Sequence, residues 1–278
     1  MGQRIEDYAL IGNMRTAALV GRDGSIDWLC LPRFDSAACC AALVGSPDNG
    51  HWQIAPVAKP KGVQRSYRGD TMVLETLFRT EAGEVALIDF LAMPRDDSGT
   101  IELVRIVEGR GGSVPMRMQA LFRFDYGRIV PWSGRRDDAI QFIAGPHALE
   151  LISPLALDAE GDAWQGEFTA TKGSRTAFVL RWQDAWCKHS GPVDVEAALQ
   201  RTVNHWRDWS ARYPNSHPWR QPVVRSLLTL KVLSDRRTGG IVGAPSMGLP
   251  EVLGGSKNYD YRYTWLRDAT FTLYALLH

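Results

Sequence analysis

Between Asn258 and Leu277 the chain reads NYDYRYTWLRDATFTLYALL, which sets Tyr259, Tyr261, Tyr263 and Trp265 beside an adjacent guanidinium and carboxylate, Arg267 and Asp268. These residue types suit a sugar. The C–H faces of a pyranose stack on aromatic rings, and neighbouring hydroxyls donate and accept at once, so a fixed Arg and Asp can hold a pair of them. An Arg-Asp pair at a helix start is also a common capping or buried ion-pair arrangement, and composition alone favours that structural role. The aromatic residues alternate with polar ones as far as Trp265. Phe271, Leu273, Tyr274, Leu276 and Leu277 then follow a helical period, so the pattern predicts a loop feeding a helix.

The segment Asp260 to Asp268, DYRYTWLRD, resembles the substrate-site signature of glycoside hydrolase family 15, the glucoamylase, trehalase and glucodextranase group. Two further runs, Gly243 to Gly255 (GAPSMGLPEVLGG) and Ile26 to Ser36 (IDWLCLPRFDS), resemble its prokaryotic branch in matching order along the chain. Local departures are Tyr259 where Trp is more usual, Thr264 where Cys is common, and Ser246-Met247-Gly248 in place of a Thr- and Ser-rich turn. The resemblance implies a mainly β chain: an antiparallel β-sandwich (supersandwich) over residues 1–190, a helical linker over 191–217, and the truncated start of an (α/α)6 barrel over 218–278. It implies that Arg267 and Asp268 bind hydroxyls of a non-reducing terminal glucose, with Tyr261 beside the reacting carbon and Trp265 as an apolar wall.

The reaction implied is release of glucose from α-glucosides or oligosaccharides with inversion, of the trehalase or glucoamylase type. Inverting enzymes use two carboxyl groups ~6.5 to 9.5 Å apart, leaving room for a water. In the family resembled these are glutamates on later helices and loops of the barrel. No acid here matches them, Glu251 included, so no catalytic residue is assigned and the chain alone is expected to be inactive, an amino-terminal fragment or truncated product of a larger hydrolase. α,α-1,1, α-1,4 and α-1,6 bonds all present the same terminal glucose, which leaves the linkage open. One rival reading is a noncatalytic β-sandwich module that binds carbohydrate or buttresses a partner domain; another is a scaffold with no sugar connection.

At 278 residues and 45% hydrophobic, the chain can bury a large core. Its 32 basic and 31 acidic residues leave a net charge of +1, with no broad basic face for nucleic acid. The amino terminus, MGQRIEDYALIGN, carries acids where a signal peptide would be apolar, and no stretch approaches the ~20 apolar residues of a membrane span. Cys30, Cys39, Cys40 and Cys187 have no metal-like spacing and suit buried, reduced thiols, so a cytoplasmic setting is expected. The scattered histidines, the missing Gly-x-Ser-x-Gly elbow and the missing phosphate-loop patterns leave no metal or cofactor expected.

The elements that must position the segment follow from periodicity. A hairpin joins Ala18–Val20 to the alternating Ile26, Trp28 and Cys30 across Arg22-Asp23-Gly24. Met72–Arg79 and Val85–Met93 pair across Glu81-Ala82-Gly83-Glu84. A third hairpin is expected to join Ile101–Glu108 to Val114–Phe124 across Gly109–Gly112. Shorter strands are expected at 139–143, 149–152, 164–171 and 176–183, and the series as a whole argues for a sandwich. Pro32 to Ser36 reads as a turn locked by its own side chains or, in a wider role, as an interface with the helical part. Arg135-Arg136 before Asp137-Asp138 reads as a solvated turn.

Beyond Gly191-Pro192, Asp194 caps a helix with Val195, Leu199, Val203, Trp206 and Trp209 along one stripe, ended by Pro214 and Pro218. A second helix, Pro222 to Leu233, carries apolar residues round so much of its circumference that it should be largely buried. Arg236 to Gly255 is a Gly- and Pro-rich loop. The last helix should expose an apolar face, which predicts self-association through the incomplete barrel.

Overall fold

The computed structural model describes residues 3–95, 99–136, 138–187, 191–214, 218–252 and 254–277. Among the described residues, fifteen strands form one antiparallel sheet. They are β1 (Tyr8–Gly12), β2 (Ala17–Gly21), β3 (Ser25–Cys30), β4 (Ala38–Cys40), β5 (His51–Pro56), β6 (Gly62–Tyr67), β7 (Leu74–Arg79) and β8 (Gly83–Leu91). After these come β9 (Ile101–Leu121), β10 (Trp132–Arg136), β11 (Ala139–Ala144), β12 (His147–Ile152), β13 (Asp158–Glu160), β14 (Ala163–Thr171) and β15 (Arg175–Asp184). Three α-helices follow among the described residues: α1 (Val195–Ser210), α2 (Arg220–Val232) and α3 (Leu266–Leu277).

The first two expected hairpins form, as β2–β3 and β7–β8. The third does not. Residues 101–121 are a single 21-residue strand, β9, and the glycines expected to turn it lie in its middle. Two neighbours crowd this stretch. A Cβ on Gly109 would run into the carbonyl of Thr171, and Gly112, at φ +70°, lies against the carbonyl of Ala82. The glycines therefore admit close backbones at a bend instead of reversing the chain.

That bend carries β9 from one layer to the other. Its first half pairs with β8 and β15, and its second half with β5 and β14. The two halves of the sheet face each other over one core, in which Trp52, Ile54, Met116 and Met118 meet Leu87, Leu103, Leu149 and Phe178. Ring contacts cross between the layers: Phe122 meets Phe142 edge-on at 5.0 Å, and Phe168 lies 5.6 Å from Phe178. The architecture is a β-sandwich, as the strand series predicts. Its core holds a fully buried ion pair. Arg105 donates to Asp89 at 2.8 Å, to the Trp52 carbonyl at 2.5 Å and to the Gly24 carbonyl at 2.7 Å, so most of its donors are satisfied.

A bulge in β3 changes which residues face that core. Because the β2–β3 register slips between Leu19 and Val20, Ile26 and Leu29 point into the sandwich, whereas Trp28 and Cys30 point out of it. The expected single face of Ile26, Trp28 and Cys30 is thus divided. Arg135 and Arg136 end β10 ahead of the turn to β11 and are not part of that turn. Asp137 lies outside the described residues, as does Ser190 at the expected domain boundary.

Asp194 caps α1, accepting from the Ala197 amide at 3.0 Å. The helix lays Ala198, Val195, Leu199 and Val203 over the outer face of β8, β9 and β15, against Ile88, Phe90, Val104 and Ile106. Trp206 is fully buried at its far end, packed with Phe34, Val224, Leu228 and Val232. Of α2, only Val224, Leu228 and Val232 are buried. The expected all-round burial is therefore corrected to one covered face. Leu266, Phe271, Leu273, Tyr274 and Leu277 of α3 are exposed, as its period predicts. No helix among the described residues is long and apolar enough to cross a membrane.

Candidate functional site

The outward face of β3 and β4 is the floor on which the Asp260–Asp268 segment rests. Trp28, Cys30, Ala38 and Ala41 form an apolar patch there, joined by Tyr126 and Met247. The Trp28 indole donates to the Pro245 carbonyl at 2.6 Å, which fixes the Gly-rich loop to the sandwich. That loop runs beside the segment: the Gly243 and Ala244 amides donate to the carbonyls of Tyr263 and Tyr261 at 3.2 and 2.9 Å, and Met247 bridges Asp260.

In an extended segment alternate residues share a face. Tyr259, Tyr261 and Trp265 form one aromatic cluster: Tyr261 lies 5.2 Å from Trp265 at an interplanar angle of 32°, and Tyr259 meets both rings edge-on. The Trp265 indole donates to the Asp260 carbonyl at 3.0 Å. Arg267 and Asp268 follow in the first turn of α3, bonded to each other at 3.2 Å. A Cβ on Gly243 would stand 3.2 Å from the Tyr261 ring, so glycine there lets the loop lie close to that ring, with the Asp268 carboxyl carbon at an ordinary 3.6 Å. Tyr261, Trp265 and Asp268 are thus brought together. The Arg267 guanidinium is two-thirds exposed beside them. Tyr261 also reaches Glu251 at 3.4 Å.

Arg262, for which the motif suggested no role, is the buried centre of the segment. It is 3% exposed. Its Nε and Nη2 donate to Asp260 at 3.0 and 2.7 Å, Nη1 donates to the Ser36 carbonyl at 2.7 Å, and Nη2 donates to the Tyr126 hydroxyl at 2.8 Å. Burial alone would lower its pKa, but the bonds with Asp260, Cys30 and Tyr126 outweigh this and raise it. Burial likewise works against the charge on Asp260, and the Arg262 hydrogen bonds and charge overcome it, leaving that carboxyl below its usual range. Burial pushes the adjoining Cys30 thiol up to about 12, so it stays neutral. One signal of this pairing was present in the sequence, since Asp260 and Arg262 stand two apart in an extended run.

The Pro32–Ser36 turn is locked as expected: Arg33 holds Asp35 in a two-pronged bond, and the Arg33 amide donates to Ser36 at 3.1 Å. It also meets the carboxy-terminal part, through the Ser36 carbonyl on Arg262. Arg33, Asp35, Arg15, Asp235, Arg237 and Tyr263 line a cleft of about 480 Å³, and Tyr259, Tyr261 and Trp265 are not among its lining residues. The bond to Arg33 holds the Asp35 carboxyl below its ordinary range.

Residues 1–182 match the family model described as trehalase-like, N-terminal, and residues 218–278 match that of glycosyl hydrolases family 15. Among relatives, the chain is 31% identical to a trehalase of Mycolicibacterium smegmatis, over 98% of this chain and 44% of that one. It is 30% identical to a trehalase of Mycobacterium tuberculosis, over 98% and 43% respectively. Against trehalase 1 of Sulfolobus acidocaldarius the identity is 32%, over 99% and 46%. The chain thus spans less than half the length of these relatives. With its sandwich matched to Trp182 and its DYRYTWLRD segment inside the second match, the chain belongs to the trehalase-like N-terminal family, and its residues 218–278 match glycosyl hydrolases family 15.

Proposed function

We propose that this chain is the amino-terminal portion of an inverting glycoside hydrolase that releases glucose from α-glucosides, of the trehalase or glucoamylase type. The observation that carries the reading is the grouping of Tyr261 with Trp265 and, across Gly243, with Asp268, with Arg267 bonded to Asp268. A terminal glucose would stack a C–H face on the aromatic pair and share two hydroxyls between guanidinium and carboxylate. Relatives named trehalase along nearly the whole chain support the substrate class. The division into sandwich (1–190), helical linker (191–217) and barrel start (218–278) belongs to the same reading, and the separation of the two family matches around α1 supports it.

By itself the chain binds and does not cleave. A general acid must keep its proton near neutral pH, which calls for a raised pKa. Asp260, a buried-side carboxylate of the segment, is shifted the other way by Arg262. Bond breaking is assigned to glutamates of the remaining barrel.

Titration with methyl α-D-glucopyranoside, trehalose, maltose and isomaltose tests this. Arg267→Ala and Asp268→Ala are each expected to weaken glucoside binding by about tenfold or more, the size of a lost charge-assisted hydrogen bond. Glucose release by the 278-residue chain should be absent. Unchanged affinity in both variants would overturn the site.

A further inference from the structure

Arg262 is the buried charged residue among the described residues of 235–277, and most of what surrounds it belongs to the sandwich. Ser36 lies in the loop after β3, Cys30 ends β3, and Trp28 and Tyr126 place their rings 6.0 and 5.4 Å from the guanidinium carbon. Met247 of the Gly-rich loop adds a sulfur contact at 3.1 Å. Asp260, its anionic partner, lies in the segment itself. One side chain therefore joins three stretches that are far apart in the chain.

The same anchor reaches the sugar-facing groups in three bonded steps. Arg262 holds Asp260 by its carboxylate. The Asp260 carbonyl receives the Trp265 indole at 3.0 Å. The Trp265 carbonyl receives the Ala269 amide at 2.8 Å, which closes the turn of α3 that carries Arg267 and Asp268. Tyr126, across the interface, is itself held in an unusual backbone conformation, φ +60° and ψ +29°, and its carbonyl receives the Asn49 side chain at 3.2 Å. That support keeps the Tyr126 ring and hydroxyl where Arg262 meets them.

We propose that Arg262 is a positioning residue for the sugar site: through it, Ser36 and Tyr126 of the sandwich set the placement of Trp265, Arg267 and Asp268. The proposal rests on the reading of Arg267 and Asp268 as the glucose-holding pair. It gives the sandwich a part in recognition that simple buttressing does not, because a sugar held by a stacked ring and two charged hydrogen bonds is sensitive to displacements of about 1 Å. Arginine suits the task. Its planar fork can face a carboxylate, a carbonyl and a hydroxyl at once, whereas lysine supplies a point charge.

The test uses the 278-residue chain and three variants, Arg262→Gln, Arg262→Lys and Tyr126→Phe, read by amide hydrogen exchange and by titration with methyl α-D-glucopyranoside. Arg262→Gln is expected to speed exchange in residues 259–269 by about tenfold or more, with the amides of β8 and β9 unchanged, and to weaken glucoside binding by about tenfold. Arg262→Lys should recover part of both losses. Tyr126→Phe removes a hydroxyl that touches no sugar and leaves the ion pair, and should weaken binding by roughly two- to fivefold. It decides the matter if Arg262→Gln does not fold. Exchange unchanged in 259–269, or faster exchange with full glucoside affinity in Arg262→Gln and Tyr126→Phe, would overturn the proposal. If the unaltered chain binds no glucoside while exchange still responds to Arg262→Gln, the glucose reading of Arg267 and Asp268 has failed, and the positioning role falls with it.

Discussion

Asp260 and Arg262 show how two charges can be kept where the carboxy-terminal segment meets the sandwich without metal-like clustering or long-range steering. The carboxylate takes two prongs of the guanidinium, and the remaining donors go to a carbonyl and a phenol, so little polar capacity is wasted. Its pH dependence follows from the direction of the shift. Because Asp260 titrates lower in the folded chain than in the unfolded one, its contribution is complete above the ordinary aspartate value of about 3.9 and is lost as pH falls through the lower folded value. Near-ultraviolet circular dichroism of the Tyr259, Tyr261 and Trp265 cluster is therefore expected to change as the pH falls below about 4. Asp260→Asn should show much of that change already at neutral pH. At this scale the grouping of Tyr261 with Trp265 and of Arg267 with Asp268 was suggested by residue type and spacing, because aromatic and charged types announce the chemistry proposed for them. Arg262 was not, since its importance comes from Ser36 and Tyr126, which are 226 and 136 positions away.

Among the elements, those defined by local patterning were the readable ones. β2–β3 and β7–β8 carry turn residues between alternating runs, and α1 carries a cap and a stripe. β9 misled because a run of three glycines within four residues satisfies a turn as well as it satisfies a bend between crowded neighbours; only the partners distinguish them. The two uses differ in their response to substitution. Gly109→Ala should cost roughly 1–3 kcal/mol, since its methyl group meets the Thr171 backbone, while Gly111→Ala, with open space around it, should be close to neutral. Denaturant midpoints at equal slope would test the pair, and equal losses would argue against crowding as the reason for Gly109. α2 was overread for a related reason: apolar residues all round a helix state what could be covered, and this chain covers one side.

On the scale of the whole molecule, the exposed apolar residues of α3 stand apart from an otherwise well-buried core. Phe271 is 70% and Leu277 81% exposed, and with Leu273 and Tyr274 they form an apolar strip on a short helix. The 278-residue chain is expected to self-associate through that strip. Sedimentation velocity should show concentration-dependent association that Phe271→Asp with Leu277→Asp abolishes; a monomer at all concentrations would rule it out.

The long strand β9 has a further consequence for how the chain is made. Its four partners span residues 51–184, two of them synthesised before it and two after. On a ribosome, β5 and β8 must wait for β9, and the β9 edge that receives β14 and β15 stays open until those strands have emerged. Pairings this distant form slowly, and unpaired edges are adhesive. Local hairpins such as β2–β3 and β7–β8 can form earlier, but closure of the sandwich is expected only once residue 184 has cleared the exit tunnel, and pulse proteolysis of stalled nascent chains should show β9 protected only beyond that length.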